Sequence, residues 1–319
     1  MTVLRILIGL VAMAAYAVTP LGAQGYPVKP VRVIVPTSPG GVNDVVTRLV
    51  SPKLAEALGQ AVVVENHPPT VSGTAMVAKA SPDGYTLLSI FDNFPLIQVL
   101  YKDVPYDALR DFTPVILTVR SPMLLAVPPT LGVRDLTQFL QLAKSKSANF
   151  NYASAGAGTS SHLTVELFKS TAGIDAQSVH YKGAGPAVLD LIGGRVQFMI
   201  AAVGTLIAHV KAGKLVPLAV TGPETLALLP NVPTIAQAYR GFEASGWQGM
   251  VAPAGTPNEI IGRLNADIGK ALRTADVRRN LEQQAYEIVG SSSQVLGALV
   301  AAEHAKWVKV IREQKITLN

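Results

Sequence analysis

VRVIVPTSPGGVNDVVTRL, residues 31–49, decides how this chain folds. Val31 to Val35 are five residues rich in Val and Ile, the composition of a strand buried on both faces. Pro36 to Gly41 follow as a short turn, and Asn43 and Asp44 open a helical pattern. Val46, Val50, Leu54 and Leu58 recur at i, i+4 spacing, and Gly59 ends the run. Gly40 and Gly41 permit positive φ and put no side chain in the way. The first N–H groups of a helix have no partner inside it, so a helix that starts where a strand ends offers an anion a seat made of backbone. NFNYASAGAGTSSHLTVELF, residues 149–168, repeats the strand, small-residue turn and helix. Two such seats in two parts of one chain imply a ligand held between two lobes.

Outward from these units the chain alternates. Ala61–Glu65 is a second strand, Asn66–Gly73 is irregular, and a short helix ends near Lys79. Ser81-Pro82-Asp83-Gly84 is a turn, and Tyr85–Ile90 is a third strand ending at Phe91-Asp92-Asn93. This strand–helix order is that of a parallel sheet with helices on its faces. The apolar run within Asp107–Arg120 reads as a crossing between lobes, and Met123–Val127 starts a second sheet. Asp135 and Gln138 have capping-box spacing. Strands at Gln177–Tyr181, Val196–Ala201 and Leu215–Val220, with helices between them, fill the second lobe. Trp247–Ala252 is extended, and the chain recrosses near it. Thr256-Pro257-Asn258-Glu259 is read as a capping box, before a helix lined by Ile261, Leu264, Ile268 and Leu272. The C-terminal helices need a sheet, and the first lobe is short of helices. The expected division is residues 26–121 and 245–319 in one lobe and 122–244 in the other.

Composition narrows the function. Of 319 residues, 49% are hydrophobic and 15% charged, which excludes a disordered chain. Aromatics at 6% are too few for a base-stacking platform, and no run of Lys or Arg is dense enough for nucleic acid. Arg5, the apolar run from Ile6 and the small residues before Gln24 read as a signal peptide over 1–23, which predicts a periplasmic protein. The apolar run is too short for a comfortable membrane span.

Catalytic motifs are sparse. The chain has no cysteine, so thiol chemistry is excluded. His67, His162, His180, His209 and His304 have no metal-ligand spacing, and no metal or cofactor is expected. No Gly-x-Ser-x-Gly elbow and no phosphate-binding Gly-x-x-x-x-Gly-Lys loop occurs. Gly156 and Gly158 begin a dinucleotide fingerprint, but Ser161 stands where its third glycine belongs. Ser160 and Ser161 beside His162 raise an exported hydrolase as an alternative, although neighbouring side chains on a helix face different ways. A ligand-sensing subunit of a signalling system is a further alternative. Lys182, after a strand end, reads equally as a charged grip and as a solvated lysine.

The stretches PVKPVRVIVPTSPGGVNDVVTRL, VVVEN, SPDGYTLL, YASAGAGTSSHLTVELF, VHYKGAGPAVLDLIGGRVQFM, KAGKLVPLAVTG, LPNVPTIAQA and MVAPAGTPNEII, in this order from Pro27 to Ile261, resemble the Bug-type solute-binding receptors of tripartite tricarboxylate transporters. The resemblance implies a two-lobed, type II periplasmic-binding-protein fold of α/β class, each lobe a mostly parallel sheet flanked by helices. It implies a monomer, without catalysis, that captures a small organic acid and delivers it to the membrane subunits of such a transporter. Carried over by position, Thr37, Ser38, Gly40, Gly41 and Asn43 line one wall of the cleft. Asp92 and Asn93 sit at the end of the third strand. Ser154, Ala155, Gly158, Thr159, Ser160 and His162 line the opposite wall, and Tyr181 and Ala202 face the cleft from strand ends. Three positions depart from the family pattern. Residues 67–73 are shorter and stiffened by Pro68 and Pro69 where relatives have a glycine-rich loop. Ala201-Ala202 stand where relatives often carry an acid, which weakens the case for an amino acid ligand. Relatives commonly have small residues near Asp92, which either faces a ligand hydroxyl or cation or points away.

Overall fold

A computed structural model describes residues 25–40, 42–145 and 150–313. The leader at 1–23 and Gly41 lie outside them. In chain order the elements are β1 (Val31–Val35), α1 (Val42–Leu58), β2 (Val62–Asn66), α2 (Thr70–Ala78), β3 (Thr86–Phe91), a 3-10 turn at Phe94–Leu96, α3 (Ile97–Leu100) and β4 (Phe112–Val127). After a 3-10 turn at Pro129–Leu131 come α4 (Leu136–Ser145), β5 (Asn151–Ser154), α5 (Ser160–Ala172), β6 (Gln177–His180), α6 (Ala184–Ile192), β7 (Phe198–Ala202), α7 (Val203–Lys211), β8 (Val216–Val220) and α8 (Ile235–Ala238). Then follow β9 (Ser245–Pro253), α9 (Asn258–Leu272), α10 (Ala275–Gln283), β10 (Glu287–Ile288) and α11 (Ser293–Glu313). Among the described residues no helix is long and apolar enough to cross a membrane.

The strands follow the order β2-β1-β3-β9-β4-β7-β5-β6, with β8 and β10 also paired to β4. Parallel pairing joins β1 to β2 and β3, and β5 to β6 and β7. The centre differs from a parallel sheet: β9 lies antiparallel between β3 and β4. The runs read as crossings are these two long strands, paired with each other from Phe112↔Pro253 to Pro122↔Ser245. Beyond that point β4 changes partners, and Met123–Val127 pairs antiparallel with β7 and β8. Pro122 falls where one pairing ends and the next begins, a place where a residue with no N–H costs no ladder bond.

Alternation along the strands builds a core on each face of the sheet. Val31, Val33 and Leu87 meet Val50 and Leu54 of α1 and Leu264 and Ile268 of α9. Ile34, Leu88 and Trp247 turn the other way, onto Phe94 and onto Leu296 and Val300 of α11. In the second half Leu125, Tyr152 and Phe198 face Phe139 and Phe168, while Leu124, Ala153 and Met199 face Leu191 and Leu206. Each large apolar side chain so buried contributes roughly 1.5–3 kcal/mol. The last helix spans both halves: Leu296 and Val300 lie on the first, and Trp307, Val310 and Ile311 pack with Phe168 and Leu163 of the second.

Two helix starts separate pattern from geometry. Gln138 N–H donates to Asp135 Oδ1 at 2.8 Å, as the spacing predicts. Thr256 does not cap α9. Its hydroxyl turns back to the Pro253 carbonyl at 2.8 Å, and Pro257 holds the cap position without a side-chain bond. The strand ending at Pro253 sits close enough to claim the hydroxyl first.

Candidate functional site

The strand ends and two helix starts converge on one cavity of about 250 Å³, room for a small molecule rather than a single water. Thr37 and Asn43 reach it from the turn after β1 and the start of α1, and Phe91 and Asp92 from the end of β3. Ser121 and Met123 come from the point where β4 changes partners, and Gly246, Trp247 and Gln248 from the start of β9. Ser160 opens α5 and Ala202 ends β7 on the opposite side. A crevice at the carboxyl ends of strands is where open α/β sheets bind ligands.

The sequence therefore brought Thr37, Asn43, Asp92, Ser160 and Ala202 to one place. Asn43 is braced there: its amide donates to Ser89 O at 3.0 Å and accepts from Ser89 Oγ at 2.7 Å. Asn93 lies behind Asp92, in a pocket of about 10 Å³ shared with Ser245, Glu303 and Trp307, the room of one water. Ser38 and Gly40 are exposed and do not line the cavity. The remaining residues do not line it either. Ser154 is buried and bonds His180 Nδ1 at 2.7 Å. The Ala155 carbonyl accepts from Gly183 N–H at 3.0 Å. Tyr181 donates to Asp190 Oδ2 at 2.8 Å. Thr159 caps α5, accepting from His162 N–H while its hydroxyl donates to Gly156 O at 2.7 Å.

Gly158 N–H donates to His162 Nδ1 at 3.0 Å, which fixes the imidazole as an acceptor at that nitrogen. Burial, then the neighbouring His180, lowers the His162 pKa to about 4, so the ring is neutral at physiological pH. Ser161 Oγ donates to Ile200 O at 2.6 Å. The hydroxyl and the ring of the Ser161-His162 pair are thus engaged with backbone, and neither faces the cavity.

The two anion seats are not equivalent. At α1, Gly40 N–H donates to Asp44 Oδ2 at 2.9 Å, and Asn66 and Arg48 donate to Oδ1 at 2.8 and 2.9 Å. Burial opposes that charge, but the Gly40 N–H, the Asn66 amide and Arg48 together outweigh it and hold the carboxyl below its usual range. The protein's own carboxylate occupies this seat. At α5 no acid stands in the first turn, and the N–H groups of Ser160 and Ser161, its first two residues, have no intrahelical partner.

Asp92 dominates the electrostatics of the cavity. Burial pushes its carboxyl up to about 6, and Glu303 adds to the effect. The Ser160 hydroxyl, the Asn93 N–H and Lys306 oppose the rise. Glu303 accepts from Trp307 Nε1 at 2.6 Å and pairs with Lys306. Around the cavity three buried polar atoms have no partner: Thr37 Oγ1, Trp247 Nε1 and Gln248 Oε1. Among the described residues no group of His, Asp and Glu side chains could hold a metal ion.

Sequence reasoning missed Phe91, Ser121, Met123 and Gly246 to Gln248. A signal for most of them existed: a chain that crosses between lobes must pass the cleft, so residues at the crossings line it.

Two α/β halves joined through β4, which enclose a cavity at their strand ends, define a two-lobed periplasmic-type solute-binding protein. The sequence model described as "Tripartite tricarboxylate transporter family receptor" matches residues 46–316, and the chain belongs to that family. It is 35% identical over 319 residues to Protein BugT of Bordetella pertussis, covering 98% of both chains. Among solved structures it is similar to R. palustris Rpa4515 with adipate, at 33% identity and a TM-score of 0.79 over 92% of this chain and 99% of that one. It is also similar to MatC from Rhodopseudomonas palustris with bound malate, at 32% identity and a TM-score of 0.75 over 90% of this chain and all of that one.

Proposed function

We propose that this protein is a periplasmic receptor, exported through residues 1–23. In this reading it captures a small organic acid in the cleft and delivers it, as a monomer and without catalysis, to the membrane subunits of a tripartite tricarboxylate-type transporter. The lobes divide at 121/122 and 244/245, where β4 changes partners and β9 begins. The observation that carries the reading is the cavity of about 250 Å³ at the strand ends, with the start of α5 on its wall. A ligand carboxylate takes the Ser160 and Ser161 N–H groups and, in exchange for its bond to Asp92, the Ser160 hydroxyl. Adipate and malate in structures of two relatives support a carboxylate as the shared chemistry.

The energy is sufficient without an arginine clamp. Micromolar affinity requires about 8 kcal/mol. Hydrogen bonds to a charged group contribute roughly 1.5–3 kcal/mol each, and a partly buried helix start up to ~2 kcal/mol. Three such bonds, the helix start and the burial of an apolar body reach that value after part of the gain is lost to association. Thermal-shift and calorimetric screening of purified protein against mono-, di- and tricarboxylates and amino acids tests the proposal. Saturable binding of a carboxylate that weakens about tenfold in Ser160→Ala is the expected result. Absence of binding by every carboxylate-bearing compound overturns it.

A further inference from the structure

The charges around the cavity do not suit a ligand that is only an anion. One ionisable side chain lines it, Asp92, and among the described lining residues there is no Lys, Arg or His. Lys306, the cation that acts on Asp92, is paired with Glu303. Of the two helix starts, the one at α1 already holds Asp44, so one seat faces an incoming anion. A carboxylate on that seat is matched by the helix dipole. A second carboxylate would meet Asp92 with nothing positive between them, and an unmatched buried charge is strongly unfavourable.

Space for the Asp92 side chain is built into the opposing strand. A Cβ placed on Gly246 would lie 3.2 Å from Asp92 Oδ2 and 3.4 Å from Ser121 O. Glycine at 246 lets the carboxylate lie against the β9 backbone. Phe91, Met123, Trp247 and Ala202 supply apolar wall around it. Trp247 is 3% exposed, and its indole N–H is buried without an acceptor. The cavity therefore holds an acceptor of full negative charge, an open helix start and an apolar wall.

Resting on the carboxylate reading above, we propose that Asp92 sets the specificity of the cleft for a zwitterion: one carboxylate on α5, one protonated amine on Asp92, and an apolar body against Phe91, Met123 and Trp247. The ammonium pairs with the charge that a dicarboxylate would have to oppose. A hydroxyl in the same position satisfies a lone pair but leaves the charge unmatched. Selectivity thus combines an attraction and a repulsion at one residue.

Matched triplets test the idea: leucine, 2-hydroxy-4-methylpentanoate and 4-methylpentanoate; phenylalanine, phenyllactate and 3-phenylpropionate; aspartate, malate and succinate. Calorimetry at pH 8 on wild type and Asp92→Asn reads the ratio of affinities within each triplet. The amine should bind at least about tenfold tighter than its partners in a triplet with an apolar body, since a charged hydrogen bond is being compared with a neutral one or none. Asp92→Asn should erase that ratio without lowering the melting temperature, which loss of a merely structural residue would not do. Amine affinity should also rise between pH 5 and pH 8 as Asp92 ionises. Glu303 and Lys306 of α11 are the charged groups facing Asp92, and its other neighbours, Ser160, Asn93 and Gly246, do not titrate. Tighter binding of malate or succinate than of every amine, or a ratio unchanged in Asp92→Asn, overturns the zwitterion proposal and leaves the carboxylate reading standing. Failure of all nine compounds overturns the zwitterion proposal; failure of the wider carboxylate screen as well overturns the reading it rests on.

Discussion

Asp92→Asn should make the ligand-free protein more stable, and the gain should appear only as pH rises. The carboxyl lines the cavity, and burial pushes its pKa from the ordinary 3.8 to about 6. The folded state thus holds the proton more tightly than the unfolded chain does. Stability linked to that proton is full below about pH 4 and is lost as pH climbs through about 6. A rise of about two units corresponds to ~3 kcal/mol, at about 1.4 kcal/mol per unit. Asparagine keeps the shape and carries no charge, so it escapes the loss. A chain of this length has an unfolding entropy near 0.6 kcal/mol/K, which makes ~3 kcal/mol equivalent to about 5 °C. Thermal melts of both proteins at pH 4, 6 and 8, followed by circular dichroism, measure the difference. The expected pattern is coincident melts at pH 4 and an Asn variant about 5 °C higher at pH 8. Equal or lower melting of Asp92→Asn at pH 8 would refute the claim that an ionised Asp92 is a strained group, and with it the view that it is kept for binding.

Ser160→Ala should weaken binding of the identified carboxylate about tenfold with little change in melting, whereas Thr159→Val, which removes the α5 cap, should cost about 1 kcal/mol of stability in denaturant titrations. His162 has its pKa depressed to about 4, so the wild type should lose up to ~3 kcal/mol as pH falls from 6.5 through 4. His162→Asn, which supplies a non-titrating acceptor to Gly158 N–H, should flatten that acid limb in urea titrations. Gly84 has φ +80°, and a Cβ there would clash with Ile260 Cγ2, so Gly84→Ala should lower the melting temperature by several degrees and leave calorimetric affinity unchanged.

Local pattern was legible where one element decided it. Val31–Val35 is a strand, and Val46, Val50, Leu54 and Leu58 form the buried face of α1, because periodicity and burial coincide there. The residues 112–127 and 245–253 were legible as extended but not as partners. Antiparallel pairing across 130 residues, such as Thr118 Oγ1 to Gln248 O at 2.9 Å, leaves no trace in local spacing. That is why Ser121, Gly246 and Trp247 of the cavity went unread. On the α5 wall the small polar residues were read as ligand contacts, but Ser154, Thr159, Ser161 and His162 direct their polar atoms to backbone or, for Ser154, to His180. Serine and threonine at a helix start serve as caps as readily as contacts, and composition does not distinguish the two uses.

The two strand–turn–helix units show how one motif takes two roles. In each, a turn glycine four residues before the third helical position donates its N–H to the side chain at that position: Gly40 to Asp44 at 2.9 Å, and Gly158 to His162 at 3.0 Å. The backbone geometry is alike and the charge is not. Asp44 brings a carboxylate held ionised by Gly40, Asn66 and Arg48, so the positive start of α1 is matched from within. His162 brings a ring that burial keeps neutral, so the start of α5 keeps its field for a ligand. The same bond that stiffens the first turn removes it as an anion site, and the one that stiffens the second leaves its site open. On the proposed reading, a cleft built from two similar units thereby gains a direction, with an anion drawn to α5 and Asp92, which accepts from the Ser160 hydroxyl, beside it for the opposite charge.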